Sequence, residues 1–124
     1  MILYISGPIS SRMDTYKAEF DAAESYISSD MDGYKSRFGK AESVLKLRGH
    51  IVLNPAVHPL GMPYEAYLKI DMAMVDVSDG IVMLHGWQNS NGARRELKHA
   101  LRMGKKVFYG IESVPFVENL HEGK

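Results

Sequence analysis

Cysteine is absent from the 124 residues. Disulfides, thiolate metal sites and a cysteine nucleophile are thereby excluded, and a reducing compartment is permitted. Surplus charge is missing as well: 15 Lys and Arg balance 15 Asp and Glu, for a formal net charge of zero. A surface that coats a nucleic-acid polymer needs an excess of cations, so no such partner is expected; a small anionic ligand needs only a few local donors. No apolar run approaches the roughly 20 residues of a membrane span. The opening Met1–Gly7 has no basic n-region and reads as a buried strand rather than a signal peptide. A cytosolic protein with no membrane partner is the expectation. His50, His58, His85, His99 and His121 show no ligand spacing, and without cysteine neither a zinc site nor any other metal or cofactor is expected. The phosphate-loop ending Gly-Lys-Ser/Thr and the Gly-x-Gly-x-x-Gly fingerprint are both absent.

What is present is an ordinary globular composition, 45% apolar and 24% charged, suited to one domain over residues 1–124. Four near-continuous apolar runs, Ile2–Ser6, His50–Leu53, Gly80–Leu84 and Lys106–Tyr109, read as strands covered on both faces. Helical patterns lie between them: Asp14–Ser29, Phe38–Leu47, Tyr64–Val77 and Ala93–Met103. Ser28–Arg37, with Asp30, Asp32 and Gly33, reads as a break between the first two, and Gly49 and Gly104 read as helix stops. Met72, Met74, Met83 and Met103 fit core stripes. The β-α alternation predicts an α/β fold, a flavodoxin- or Rossmann-like open parallel sheet of four or five strands with helices on both faces. Ligands of such folds bind beyond the carboxyl ends of the strands. There lie Gly7–Met13, Asn54–Pro63, His85–Gly92 and Gly110–Pro115.

Two helical wheels carry a conflict. Asp71 falls within the stripe Tyr67, Leu68, Met74 and Val75, and Glu96 within the stripe Ala93, Leu97, Ala100, Leu101 and Gly104. Carboxylates are almost never buried without a partner or a task. Two of them on consecutive helices, near one loop edge, form a candidate acid–nucleophile pair. Each also has a plain reading. Glu96 in a first helical turn is favoured by the helix dipole, and Lys69, Arg94 and Arg95 are candidate ion-pair partners for Asp71.

Two loops are placed to hold a substrate. In Ser6-Gly7-Pro8-Ile9-Ser10-Ser11-Arg12, Gly7 permits close backbone approach, and Ser10, Ser11 and Arg12 offer donors; a plain turn is the alternative. The loop His85–Gly92 carries Trp87, Ser90 and Gly92 before the helix of Glu96. Ser90 suits a phosphate or sugar hydroxyl, or else caps the helix. Trp87 either stacks on a base or plugs the loop. Tyr64 and Tyr67 are either helix-start packing or pocket lining.

The ordered set of these segments resembles the nucleoside 2-deoxyribosyltransferase superfamily, and within it a small, often phage-encoded branch. The resemblance runs through Tyr4-Ile5-Ser6-Gly7-Pro8-Ile9, then Gly49-His50-Ile51-Val52-Leu53-Asn54-Pro55-Ala56, then Tyr67-Leu68 and Asp71, then Asp79–Leu84, and last Gly86–Ala93 with Glu96 and Ala100. It implies that Glu96, in the pattern Ser90-x-Gly92-x-x-x-Glu96, is the nucleophile, and that Asp71, eight before Asp79, is its acidic partner. It further implies that Ser90 contacts a 5′-phosphate, as in the hydrolases of deoxynucleoside 5′-monophosphates. Transferases acting on free nucleosides tend to carry an acidic residue there. Ser6, Gly7, Pro8, Ile9, Arg12, Trp87, Ser90 and Gly92 are the expected substrate contacts, with Arg12 as the basic one.

The expected activity is therefore N-glycosidic cleavage of a (deoxy)nucleoside 5′-monophosphate. Deoxyribosyl transfer between free nucleosides, or nucleotide binding without turnover on the same scaffold, are the alternatives. Chemically, a carboxylate beside C1′ stabilises the oxocarbenium character of the transition state and traps it as a glycosyl-enzyme. Glu96 is expected to be held ionised at the helix N-terminus, and Asp71 to be raised in pKa by desolvation. Relatives complete each pocket with a neighbouring subunit, so a homodimer or larger is expected. Residues 14–37 stand out as an extra helical segment where relatives have a short link.

Overall fold

The computed structural model describes residues 1–9 and 33–117. Four strands, β1 (Ile2–Ser6), β2 (Ile51–Leu53), β3 (Gly80–Met83) and β4 (Lys106–Tyr109), form one sheet. Its order is β2-β1-β3-β4 and every pairing is parallel. The two central strands are buried on both faces, which explains their unbroken apolar character. Leu3, Tyr4, Ile5, Ser6, Ile81 and Val82 are fully enclosed. The edge strands are partly open, with Ile51 and Tyr109 exposed.

Alternation along the strands divides the core in two. Leu3, Ile5 and Val82 point to the face covered by helix α1 (Gly33–Leu47), through Tyr34, Phe38, Ala41 and Leu45. Tyr4, Ile81 and Met83 point to the opposite face, covered by Val75 of α2 (Tyr64–Val77) and by Ala93, Leu97 and Ala100 of α3 (Asn91–Arg102). This is the expected open parallel sheet with helices on both faces, in its four-stranded form.

Helix α1 begins at Gly33, five residues before the expected start. Tyr34, Phe38, Ala41 and Leu45 are one stripe at helical spacing, and the burial of Tyr34 in the core extends the helix across what read as a break. The expected helix Asp14–Ser29 lies outside the described residues. Gly49 and Gly104 are the helix stops anticipated, with φ of 97° and 76°. Each permits a Schellman closure: His50 N donates to Leu45 O at 3.1 Å, and Lys105 N to Ala100 O at 2.9 Å. His50 ends as a buried side chain rather than the start of β2, its Nε2 against Pro115 O at 2.7 Å. Leu101, on α3, and Met103, its C-cap, assigned to core stripes by spacing, are exposed. Among the described residues no helix is long and apolar enough to cross a membrane.

Candidate active site

Asp71 and Glu96 both turn inward, as their wheels predict: Asp71 is 1% exposed and Glu96 5%. Helices α2 and α3 pack side by side on one face of the sheet, and the two carboxyl groups meet there in hydrogen-bond contact. They line a cleft at the carboxyl edge, with about 380 Å³ of empty space that opens to solvent. Gly7 and Ile9 after β1, Tyr64, Tyr67 and Leu68 on α2, and Ser90, Gly92 and Ala93 at the start of α3 complete its walls. Tyr64 and Tyr67 are therefore lining residues.

The floor is set by β1. Ser6, expected as a substrate contact, does not line the cleft: it is fully buried beneath it, and its Oγ donates to Glu96 Oε1 at 2.7 Å. Tyr4, two residues earlier and on the same strand face, brings its hydroxyl close enough to Glu96 to favour the ionised carboxylate. Glu96 is nevertheless pushed well above the usual carboxylate range. Burial is the main cause and the adjacent Asp71 charge the next, while the Ser6 and Tyr4 hydroxyls act in the opposite direction. Glu96 is thus not held ionised by the helix dipole. Helix α3 starts at Asn91 with Ser90 as N-cap, which places Glu96 beyond the first turn, where the dipole has faded.

The partner of Asp71 is His58. Its Nε2 lies 3.1 Å from Asp71 Oδ1. Of the cations that were candidate partners of Asp71, Arg94 donates to Gln88 O at 2.6 Å, and Arg95 lies 3.8 Å from Glu65 with its guanidinium over the Tyr64 ring. His58 gave no signal in the sequence, because it follows a short 3-10 turn, Pro55–Val57, where no periodicity indicates side-chain direction. Tyr4 was equally hidden, as one more apolar residue of a buried strand.

The other expected contacts divide. Ser90 lines the cleft and also caps α3, its Oγ accepting from Ala93 N at 3.1 Å; a hydroxyl that accepts there still has its own proton to donate. Gly92 lies at the mouth, where a Cβ would stand 3.4 Å from the Tyr64 hydroxyl. Gly7 is closely covered, since a Cβ there would meet Leu84 Cβ at 3.1 Å. Pro8 does not line the cleft; its ring lies against Gly86 and braces the two loops together. Trp87 is likewise away from the carboxyl pair. It packs on the α3-side core, stands 5.8 Å from the Tyr109 ring, and faces a separate groove with Arg37 and Glu112. In the free protein that favours the plug reading. Arg12 lies outside the described residues.

No curated protein matches the chain. A family model described as "Domain of unknown function (DUF4406)" matches residues 25–109, which include Asp71, Ser90 and Glu96 but not Ser6. The chain belongs to this family.

Proposed function

We propose that this protein cleaves the N-glycosidic bond of a (deoxy)nucleoside 5′-monophosphate and releases the free base. The observation that carries the reading is the pair of enclosed carboxyl groups, Asp71 and Glu96, touching in a cleft beyond the carboxyl ends of the strands. Kinship of the family with the nucleoside 2-deoxyribosyltransferase-like fold supports it, as does Ser90 at the helix start beside the pair.

Two carboxyl groups in contact share one proton, because both cannot ionise cheaply at that range. The singly protonated pair holds one acid and one base, which is what the reaction needs. In the first step Glu96 bonds to C1′, the C1′–N bond breaks, and the pair's proton passes through Asp71 to the departing base. In the second, water supplies hydroxide to C1′ and its proton to Asp71, and Glu96 leaves as a carboxylate. The pair then carries its single proton again. The contact is closer than the roughly 5–9 Å between glycosidase carboxyls, so the sugar lies on the cleft side of Glu96 rather than between the two groups.

The space that water-sized spheres can occupy in the cleft is about 40 Å³, far below the roughly 300–1,000 Å³ of ordinary ligand sites. A second subunit closing the open side, as the superfamily resemblance implies, would make the site a homodimer's. The test is a chromatographic screen of ribo- and deoxyribonucleosides and their 5′-monophosphates for base release. Release from monophosphates without an acceptor base supports the reading; release only with an acceptor reassigns the protein as a transferase. Binding without release makes it a nucleotide-binding protein.

A further inference from the structure

The two-step scheme uses Glu96, Asp71 and water, and leaves His58 without a task. Yet His58 is placed with care. Asn54 Oδ1 accepts from Ala56 N at 2.8 Å and fixes the turn that precedes it. The Tyr67 hydroxyl donates to Pro59 O at 2.7 Å and fixes the residue that follows. Tyr67 and Asp71 are successive turns of one face of α2, so this face grips the loop twice, at Pro59 and at His58. The imidazole is only 14% exposed, and its Nε2 reaches the carboxyl group that is 1% exposed.

We propose that His58 is the positioning residue of the acid. Its Nε2–H holds Asp71 Oδ1, which leaves the second carboxyl oxygen for the proton exchanged with Glu96 and the leaving base. This rests on the N-glycosidase reading. Neither chemical step consumes a proton at His58, so its contribution is to fix the angle and oxygen of Asp71. A rotating carboxyl group would satisfy its buried oxygens with Glu96 or water and lose alignment with the base. A built-in comparison exists: His99 Nε2 meets Asp76 Oδ1 at 2.6 Å, in a more open pair whose Asp76 side chain is 46% exposed.

The test compares His58→Phe, which keeps a ring and removes the donor, with His58→Gln, whose amide nitrogen can occupy the Nε2 position; His99→Phe is the control. With deoxynucleoside 5′-monophosphates, His58→Phe is expected to lower kcat about ten- to a hundredfold, the range for one hydrogen bond to a charged group, with KM little changed. A nitrophenyl deoxyriboside 5′-phosphate, whose leaving group needs no proton, is expected to react at the wild-type rate. His58→Gln restores most of the loss, and His99→Phe changes neither substrate. Equal loss on both leaving groups, no loss on either, or no rescue by Gln overturns the proposal. If the wild-type protein releases neither base nor nitrophenol, the glycosidase reading has failed, and nitrogen NMR decides the contact by itself. A protonated His58 Nε2 whose resonance moves on Asp71→Asn, while that of His99 does not, supports the positioning role. A His58 resonance indifferent to Asp71→Asn overturns it.

Discussion

Ser6 Oγ donates to Glu96 Oε1 at 2.7 Å across 90 residues of sequence, with both side chains buried. The bond ties the central strand to the candidate nucleophile and opposes the burial that raises the Glu96 pKa.

Ser6→Ala removes that donor without leaving an unsatisfied group on the strand. A hydrogen bond to a charged group is worth about 1.5–3 kcal/mol, so kcat/KM for base release should fall roughly ten- to a hundredfold. The variant also removes an influence that lowers the Glu96 pKa. The alkaline limb of the pH–rate profile, which reports loss of the pair's proton, should therefore move upward. A purely structural Ser6 would lower the melting temperature and leave that limb in place.

Glu96→Gln should stabilise the protein near neutrality. The folded-state pKa of Glu96 lies well above the ordinary 4.5. Below 4.5 both folded and unfolded states carry the proton; between 4.5 and the folded value, only the folded state keeps it, and stability falls as pH rises. Glutamine keeps the shape of the protonated acid and does not titrate. The melting temperature of the variant relative to wild type should thus be similar in acid and rise by several degrees toward neutral pH, each ~1 kcal/mol being worth about 4–8 °C at this size. Differential scanning calorimetry across pH checks it. A variant less stable than wild type near neutrality would show that Glu96 is an anion serving the helix.

Ser90 both lines the cleft and caps α3, and the two roles separate by substrate. Ser90→Ala should weaken 5′-monophosphates about ten- to a hundredfold in kcat/KM while nucleosides change little, if its hydroxyl donates to the phosphate. Loss of the cap alone costs about 1 kcal/mol of stability and treats both substrates alike. Steady-state kinetics on a matched nucleotide and nucleoside distinguish them.

The carboxyl pair was legible because a charged residue inside a helical apolar stripe conflicts with the pattern around it, and Asp71 and Glu96 each did so. Gly49 and Gly104 were legible because helix ends need a residue tolerant of positive φ. Other parts were not. A strand buried on both faces is apolar throughout, so the pattern conceals which residues share a face; that hid Tyr4 and left the target of Ser6 unassigned. His58 sits in a loop with no period to orient it. Tyr34 was concealed by the turn-like residues before it, and only packing on the sheet starts α1 at Gly33. Helix α3 starts two residues earlier than its apolar stripe suggests, which takes Glu96 out of the first turn, while burial and the adjacent Asp71 charge raise its pKa.

The most direct measurement is base release by Glu96→Gln. The substitution preserves size, and the amide can still accept from Ser6, so the fold and substrate binding should survive. The covalent step is lost, and turnover should fall by several orders of magnitude. Asp71→Asn is the companion, expected to slow release most for poor leaving groups and least for a nitrophenyl group that needs no proton. A carboxylate that served only the helix dipole would contribute about 0.3–1 kcal/mol to stability and nothing to turnover. A substrate on which wild type releases base, and on which folded Glu96→Gln turns over at near the wild-type rate, would contradict the account; turnover lost with binding intact is what it predicts.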